Sequence, residues 1–455
     1  MLIHDIADYA VAERTRVLPD EVFHHAKRAV IDWCATTAPG TLVMPTTSLV
    51  KAFADDIGRG GARLFPSGTK ATMRTAAVIN AAASHTVEFD DIFRDALYHA
   101  GTPAVSTALA ASENENLSGE EFLRAVIVGY EVATRIALVM GRAHYEYWHN
   151  TATNGSFGAA AAAATALGLD RDCFAHAIAL AGTMAAGLQQ SFRSDSYAKP
   201  MHGAHAVDSG LLSAVSAAQG VTGALDILDG EVGYGAAMSR DCDWSLATAG
   251  LAEHYNITRM TTKNHGCCGH TFAAIDGAMA LKQKHGLAAA DVKAIRVGGY
   301  KATVDICGNK NHSTPFEGRF SVPYLIATSI THGNTRLDAF TEPRLADPET
   351  AALVPKVEVY LDEAIDAEFP HRRAARVAIE TTDGAIHEHY QPTRIGDPDA
   401  PLSDDQLSDK FMELVAPVTG AGAAETLLAA CWSLETLASI RELPIAIGRD
   451  AQAAE

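Results

Sequence analysis

Two adjacent cysteines and two histidines stand among glycines in NHGCCGH, residues 264–270. Tetrahedral zinc sites usually take paired ligands separated by about two to four residues, and adjacent cysteines cannot easily both point at one ion. Iron–sulfur clusters need spaced thiolates, which the remaining cysteines do not supply. We therefore predict no metal here. We predict instead an anion pocket in which Lys263, His265 and His270 surround a glycine-rich backbone at the start of a helix.

A second basic cluster lies in FRSDSYAKPMHGAH, residues 192–205. Proline is favoured in the first turn of a helix, so Lys199, directly before Pro200, should lie beside the positive end of the helix that follows. That position favours carboxylate binding and is expected to lower the pKa of the lysine. His202 and His205 fall in the same first turns and add groups that titrate near neutrality.

Acidic residues follow an apolar helix in HTVEFDDIFRDALYHAGTP, residues 85–103, where Glu88, Asp90, Asp91 and Asp95 stand within eight positions. Carboxylates brought together in a cleft repel one another, which raises the pKa of some of them. A solvated loop would have the same composition, so the segment alone leaves both interpretations open.

Together these segments fit proton chemistry beside a carboxylate. Helix N-termini and cationic side chains would hold a small polycarboxylate, while histidines and acids would remove or deliver a proton next to one of its carboxylates. The sequence contains no convincing dinucleotide fingerprint or phosphate-binding loop. We therefore predict a lyase or epimerase that needs no cofactor. Two rivals remain: a metal-dependent hydrolase that uses the histidines, and a helical scaffold without catalytic activity.

The elements that must position these residues change character along the chain. Alanine-rich helical patterns continue to about residue 260, β-branched segments and the hairpin signal TTDGAI follow residue 290, and helical periodicity returns after a capping box at Ser403. This order predicts a mainly α protein with a large all-helical domain built from both chain ends, 1–265 and 400–455. A smaller α+β domain, 266–399, is inserted between them.

The overall composition narrows the class of partner. A net charge of -19 argues against nucleic acid and anionic membranes, since their phosphates would be repelled. No uninterrupted apolar stretch reaches about 18 residues, and the first residues carry acids and bases throughout. The seven cysteines are scattered and odd in number, which does not indicate a disulfide framework. The cytoplasm is the expected compartment.

The chain also resembles the MmgE/PrpD family, which includes 2-methylcitrate dehydratases, cis-aconitate decarboxylases and iminodisuccinate epimerases. The resemblance covers nearly the whole chain and rests on six segments in the family's order: LPDEVFHHAKRAVIDWCATTAPG, NAAASHTVEFDD followed by HAGTPAV, HNTATNGSFGAAAAAATALGLD, AKPMHGAHAVDSGLLSA, KNHGCCGHTFAAIDGAMAL and GRFSVPYLIATSITHG. It implies a large helical domain with a smaller α+β lid, an active site in the cleft between them, a homodimer, and no metal or organic cofactor.

The residues and the resemblance together give two sets of site candidates. The catalytic candidates are Glu88, Asp91, His99, Lys199, Cys268 and His270. The substrate-binding candidates are His149, Arg193, His202, Lys263, Arg319 and Ser321. The sequence departs from the family pattern at Glu88, where the family has aspartate, and at Cys268, which falls on the catalytic histidine of the decarboxylases. The second departure counts against decarboxylase activity, and His270 could replace the missing imidazole.

The resulting hypothesis assigns carboxylate binding to Lys199, Arg193 and Lys263. It assigns the acid and base to His99 and His270, with Glu88 or Asp91 orienting an imidazole or holding the proton of a leaving hydroxyl. A 2-methylcitrate dehydratase-like hydro-lyase is the first expectation. An iminodisuccinate epimerase-like isomerase and a cis-aconitate decarboxylase-like carboxy-lyase are the alternatives.

Overall fold

A computed structural model describes residues 1–193 and 196–445, with the side chains of Phe192 and Arg193 left out. The chain divides into two compact units. The first contains Met1–Thr261 and the chain from Ser403 onward, and the second is Thr262–Leu402.

The described residues are mainly helical. The α-helices are α1 (Leu2–Glu13), α2 (Asp20–Gly40), α3 (Thr46–Ala52), α4 (Met73–Thr86), α5 (Gly101–Glu115), α6 (Gly119–Tyr145), α7 (Asn150–Ala166), α8 (Arg171–Met184), α9 (Ala198–Ala217), α10 (Tyr234–Met238), α11 (Phe272–His285), α12 (Lys301–Cys307), α13 (Pro315–Arg319), α14 (Val322–His332), α15 (Glu342–Leu345), α16 (Pro348–Leu353), α17 (Glu363–Glu368), α18 (Asp404–Thr419) and α19 (Ala421–Trp432). The strands are β1 (Ile57–Leu64), β2 (Thr69–Ala71), β3 (Val292–Gly299), β4 (Val357–Leu361), β5 (Ala375–Thr381) and β6 (Ile386–Gln391).

Small residues determine the packing of the first unit. Every residue of α7 is buried, and this helix packs against α6 and α9. The approach to α9 is so close that a Cβ atom at Gly210 would lie 2.5 Å from the Cβ of Ala159. The alanine-rich segments therefore form a dense helical core, as the all-round apolar pattern of the sequence predicts.

The prediction that this unit is all-helical is wrong at one place. Residues IGRGGARL form β1, which pairs antiparallel with β2. Glycine costs about 1 kcal/mol relative to alanine inside a helix, so three glycines in eight residues disfavour a helix here. The hairpin instead buries Ala62 and Leu64 against the helical core.

The second unit contains both helices and strands. Its four-stranded sheet has the order β4-β3-β5-β6, with β3 and β4 parallel and the other pairs antiparallel. The TTDGAI signal is confirmed as the turn between β5 and β6, where Gly384 has a φ of 89°. Helices α11 and α14 pack on the sheet, and α11 begins directly after the NHGCCGH segment.

The capping box at the return to the first unit is also confirmed. The Ser403 hydroxyl accepts a hydrogen bond from the Gln406 backbone N–H, and the Gln406 side chain accepts one from the Ser403 backbone N–H. Helix α18 then packs against α2. Among the helices that the described residues form, none combines the length and apolar character needed to cross a membrane.

Candidate active site

Most of the acidic segment between α4 and α5 is buried and does not form a solvated loop, although Asp95 is exposed. Asp90 and Asp91 are 2% and 4% exposed, and His99 is 8% exposed. At the start of the segment Glu88 has a φ of 59°. The left-handed conformation costs a residue with a Cβ roughly 1–2 kcal/mol. Surrounding contacts must therefore hold this turn in place.

Asp90 lies between two imidazoles. Its Oδ2 is 2.6 Å from Nδ1 of His85 and 3.1 Å from Nδ1 of His99. Burial alone would raise the pKa of Asp90, but the charges of His99 and His85, with their hydrogen bonds, hold it well below its usual value. A carboxylate at Nδ1 favours the tautomer that carries its proton there, which leaves Nε2 as the basic nitrogen.

His85 has one nitrogen that is not used by the fold. Its ring is fully buried, and its Nε2 has no hydrogen-bond partner among the described residues. The ring stacks on His149 with a centroid distance of 5.6 Å and lies edge-on to His99 at 4.9 Å. Asp90 and these rings therefore form one continuous buried cluster.

Two further histidines extend this cluster. His149 stands at the N-terminal end of α7, and its Nδ1 lies 3.0 Å from Nδ1 of His202 in α9. One of these nitrogens must donate and the other accept. Burial, followed by the charges of His85 and Lys199, lowers the pKa of His149 well below its usual value. Burial lowers the pKa of His202 to about 4, so both rings are neutral near pH 7.

Lys199 lies in the first turn of α9, where the sequence predicts it, and forms an ion pair with Glu88. Burial disfavours its charge, but the carboxylates of Glu88 and Asp90 outweigh burial and raise the pKa of the lysine. The predicted lowering is therefore wrong, because two carboxylates accompany the helix N-terminus. Lys199 is a permanent cation beside the Asp90 cluster.

Asp91 points into the fold. It accepts hydrogen bonds from the Gly101 backbone N–H at 2.9 Å and from the Tyr130 hydroxyl at 2.8 Å. Burial, and then the charge of Asp32, raises the pKa of Asp91 to about 7. Its carboxyl group therefore connects the segment to the start of α5 and to α6.

The donors of the Asp90 cluster also suit a cation. One ligand atom each from His85, Asp90 and His99 lies within 4.8 Å of the other two. Two imidazoles and a carboxylate are ligands that zinc and related metals accept. The ammonium group of Lys199 interacts with the same carboxylate, and its charge opposes a cation there.

The second unit carries a histidine–tyrosine pair beside α11. Nδ1 of His270 lies 2.9 Å from the hydroxyl of Tyr300, which stands at the end of β3. Burial, with the charges of Arg373 and Arg394, lowers the pKa of His270 to about 3. This imidazole is therefore neutral, and its Nδ1 is engaged.

The neighbouring thiols of Cys267 and Cys307 are protonated, because the pKa of each is raised. Burial raises the pKa of Cys267 to about 12, while Lys263 and Arg319 oppose that rise through their charges. Cys268 donates its backbone N–H to the Arg319 carbonyl at 3.0 Å. A hydrogen bond with the Cys268 thiol, together with burial, raises the pKa of Cys307. The charges of Lys263 and Arg319 thus both act on the Cys267 thiol within this unit, and Arg319 also contacts Cys268.

Three other residues of the second unit have contacts that the fold itself requires. His265 bonds Asp276 through Nε2 and the Thr335 hydroxyl through Nδ1, both at 2.8 Å. Ser321 is the N-cap of α14, where its hydroxyl accepts from the Tyr324 backbone N–H. The guanidinium group of Arg319 lies over an aromatic ring, 5.0 Å from the ring centroid of Phe340.

The structure therefore gathers most candidates within their own units. In the first unit the Asp90 cluster includes His99 and His149, and it is extended by His202 and by the Lys199–Glu88 ion pair. Asp91 points away from this cluster, towards Gly101 and Tyr130. The side chain of Arg193 lies outside the described residues. Asp90, His85 and Tyr300 are not among the site residues that the sequence predicts. The spacing of His85 and Asp90 at the end of an apolar helix was a usable signal, whereas Tyr300 lies 30 positions from its partner and left none.

Two family models match successive parts of the chain. The model of the MmgE/PrpD N-terminal domain matches residues 4–247, and that of the MmgE/PrpD C-terminal domain matches residues 265–435. The "Cis-aconitate decarboxylase-like protein oryM" of Aspergillus oryzae is 25% identical over 451 residues, which covers 94% of this chain and 93% of that protein.

Two proteins named cis-aconitate decarboxylase are similarly distant relatives. The protein from Aspergillus terreus is 26% identical over 467 residues, with coverage of 96% of this chain and 94% of the relative. The protein from Homo sapiens is 25% identical over 448 residues, with coverage of 92% and 89%.

Proposed function

We infer that this chain, which belongs to the MmgE/PrpD family, is a lyase that moves a proton α to a carboxylate of a small di- or tricarboxylic acid. The observation that carries this proposal is the buried Asp90 carboxylate, flanked by Nδ1 of His85 and His99, with the Lys199 cation beside it. The residues of this cluster supply a base, a group that stabilises the protonated base, and a positive charge.

In this proposal His99 is the proton carrier. Asp90 holds the proton on Nδ1, so that Nε2 can take a proton from carbon, and the carboxylate then stabilises the imidazolium that forms. Lys199 stabilises the negative charge that develops on the substrate carboxylate as the proton leaves. The ion pair with Glu88 keeps the ammonium group in the same place before substrate binds. Neither step requires a cofactor.

Among lyases of this kind we place dehydration of a 2-hydroxy polycarboxylate first. It is supported by Cys268, which stands where the resemblance puts the catalytic histidine of decarboxylases. Decarboxylation is the second candidate, since the relatives are named cis-aconitate decarboxylase or cis-aconitate decarboxylase-like. Dehydration expels hydroxide next to the carbon that loses the proton, whereas decarboxylation releases CO2 and returns a proton to carbon. Epimerisation would return the proton to the other face.

One experiment separates these outcomes. The protein is incubated in deuterated water with 2-methylcitrate, citrate, cis-aconitate and iminodisuccinate, and the products and deuterium incorporation are followed by NMR. An unsaturated product from a hydroxy acid supports the hydro-lyase, loss of carbon as CO2 supports the decarboxylase, and deuterated substrate with inverted configuration supports the epimerase. Absence of exchange with all four acids would contradict the proposal and favour the non-catalytic scaffold.

Single substitutions assign the activity to the cluster. We expect His99→Ala and Lys199→Ala each to lower kcat by about 10²- to 10⁴-fold, the range typical of a lost proton carrier or charge stabiliser. The matched control is His144→Ala, because His144 is also buried in the first unit but uses both nitrogens within the fold, on Thr153 and the Met238 carbonyl. Turnover near wild type in His99→Ala would remove that residue from the mechanism.

A metal-dependent enzyme is the second candidate function, and the His85–Asp90–His99 group supports it. Metal analysis of the purified protein and activity after dialysis against a chelator decide between the two. The cofactor-independent proposal expects full activity in the dialysed protein. Stoichiometric zinc together with loss of activity on dialysis would replace it.

The resemblance also implies a homodimer, and the sequence alone predicts a cytoplasmic protein; we retain both as proposals. Light scattering after size-exclusion chromatography should then give a mass of twice 48.0 kDa. A mass of one chain over a wide concentration range would contradict it.

A further inference from the structure

The turn that carries Glu88 and Asp90 is held from behind by a lysine more than three hundred positions away in the chain. The Lys410 ammonium donates to the Phe89 carbonyl oxygen at 3.0 Å, between Glu88 and Asp90. It also lies 4.2 Å from the centroid of the Phe89 ring. Lys410 therefore contacts both the backbone and the side chain of the residue at the centre of the turn.

The charge of Lys410 is balanced inside the core. Its ammonium group donates to Oδ1 of Asp32 at 2.6 Å, and the two side chains are 0% and 4% exposed. Asp32 belongs to α2 and Lys410 to α18, so the pair connects the helix from the C-terminal end of the chain to one near the start. Burying two charges carries a large desolvation cost, and an apolar pair of similar volume is often as stable or more stable. Stability alone is therefore a weak reason for this pair.

The other side of the turn is held by a second contact. The carboxyl group of Asp91 accepts from the Gly101 backbone N–H and from the Tyr130 hydroxyl. The backbone between Glu88 and Asp91 is thus fixed by groups from α18 on one side and from α5 and α6 on the other. Since Glu88 has a left-handed backbone, the turn would relax to another conformation without such contacts.

We propose that Lys410 is a positioning residue of the active site, which fixes the turn at Phe89 so that Asp90 meets His85 and His99 while Glu88 meets Lys199. Lys410 acts on these five residues through the Phe89 carbonyl oxygen, to which its ammonium group donates. The catalytic part of this inference rests on the proposed function. The effect of Lys410 on the position of the turn does not depend on that function, and it can be tested through the hydrogen bond between His85 and Asp90.

The test replaces the ion pair with apolar side chains. Asp32→Leu/Lys410→Met removes both charges together, so no uncompensated charge remains in the core, and the thermal midpoint should stay near that of the wild type. We expect kcat to fall about 10- to 100-fold, because small displacements of catalytic groups have effects of this size, with a smaller change in KM. A purely structural pair would leave kcat unchanged in a stable variant.

A spectroscopic measurement makes the result independent of turnover. An imidazole N–H that donates to a carboxylate at 2.6 Å, as His85 does to Asp90, gives a proton resonance far downfield. Assignment uses its disappearance in His85→Gln. In Asp32→Leu/Lys410→Met this resonance should move upfield or broaden. An unchanged resonance together with wild-type kcat would overturn the proposal.

A second variant and a control complete the design. Asp32→Asn/Lys410→Gln keeps a polar pair, but the glutamine side chain is one atom shorter than lysine and does not reach the Phe89 carbonyl. The changes in kcat and in the proton resonance should therefore be intermediate. If the apolar variant does not fold, wild-type values of kcat and of the resonance in Asp32→Asn/Lys410→Gln overturn the proposal.

The control Arg63→Met/Glu113→Leu removes another buried ion pair of the first unit, joined at 2.7 Å, and should leave kcat and the resonance unchanged. If no acid is turned over but the resonance still shifts, the positioning role stands and the proposed function fails.

Discussion

Each unit of the molecule contains a buried histidine–aspartate pair, and the two pairs have different surroundings. In the second unit His265 lies 2.8 Å from Asp276, and its other nitrogen contacts the Thr335 hydroxyl. The second oxygen of Asp276 accepts from the Ile395 backbone N–H at 2.8 Å. Each of these polar atoms has a partner within the second unit, so the pair links α11 to its neighbours.

In the first unit the corresponding pair is His85 and Asp90, and it retains chemical capacity. The same Oδ2 that bonds His85 also faces His99 and accepts from the Thr102 hydroxyl. Nε2 of His85 has no partner among the described residues. Burial and a short His–Asp distance are therefore common to both pairs, and only the pair of the first unit belongs to the proposed catalytic cluster. The distinction lies in which nitrogen atoms the fold leaves unused.

The largest effect is expected for Asp90→Asn. The amide cannot stabilise an imidazolium, and it can donate to Nδ1 and so select the wrong tautomer of His99. We expect kcat to fall about 10²- to 10⁴-fold. The measurement is turnover with the acid identified by NMR, in a variant whose circular dichroism matches the wild type. A kcat within threefold of the wild type would remove the difference between the two pairs.

The matched substitution in the second unit should affect stability and not turnover. Asp276→Asn weakens the contacts with His265 and the Ile395 backbone, which costs about 1–3 kcal/mol for buried groups left without a partner. Urea unfolding measures this loss. Under conditions where the variant is folded, kcat should stay close to that of the wild type. A large loss of turnover in a stable protein would show that this pair also takes part in the chemistry.

A third prediction concerns the pH dependence of stability, to which the buried imidazole of His270 should contribute. Burial and two arginines lower the pKa of His270 to about 3 in the folded protein, while an unfolded histidine titrates near about 6.5. The unfolded chain therefore binds a proton between these values that the folded protein does not. The contribution is fully present above about pH 6.5 and is lost as pH falls. His270→Gln should make the fall of stability below that pH shallower, by about 1.4 kcal/mol per unit at most.

Urea unfolding of wild type and His270→Gln at pH 7.5 and pH 5.5 tests this prediction. The two profiles should converge as the pH falls. Parallel profiles would mean that His270 binds its proton equally well in the folded and unfolded chains.

Local signals predicted the secondary structure well where one physical effect dominated. The Ser403 capping box, the TTDGAI turn and the start of α11 each follow from a few adjacent residues. The hairpin of β1 and β2 was missed, because its strands are glycine-rich and lack the alternating β-branched pattern. Its formation depends on pairing and burial, which no local pattern contains.

The site was predictable only as a set of segments. Lys199 was placed correctly in the first turn of α9, but the direction of its pKa shift depended on Glu88, more than a hundred positions earlier. The sequence offered several acids in one segment, and it could not show that Asp90 faces the histidines while Asp91 faces Tyr130. Such choices depend on the backbone conformation of the segment, in which Glu88 and Leu97 are both left-handed.

The smallest effect is expected at Ser321, which the sequence suggested as a substrate contact. Its hydroxyl donates to the Asn309 carbonyl at 2.7 Å and caps α14, and the residue is fully buried. Ser321→Ala should therefore cost about 1 kcal/mol of stability, a typical value for a lost N-cap, with KM unchanged. Ser403→Ala, which removes the N-cap of α18, is the control and should give a loss of similar size. If KM rises severalfold in Ser321→Ala and not in Ser403→Ala, the hydroxyl binds substrate, and the second unit contributes more to the site than its histidine–aspartate pair indicates.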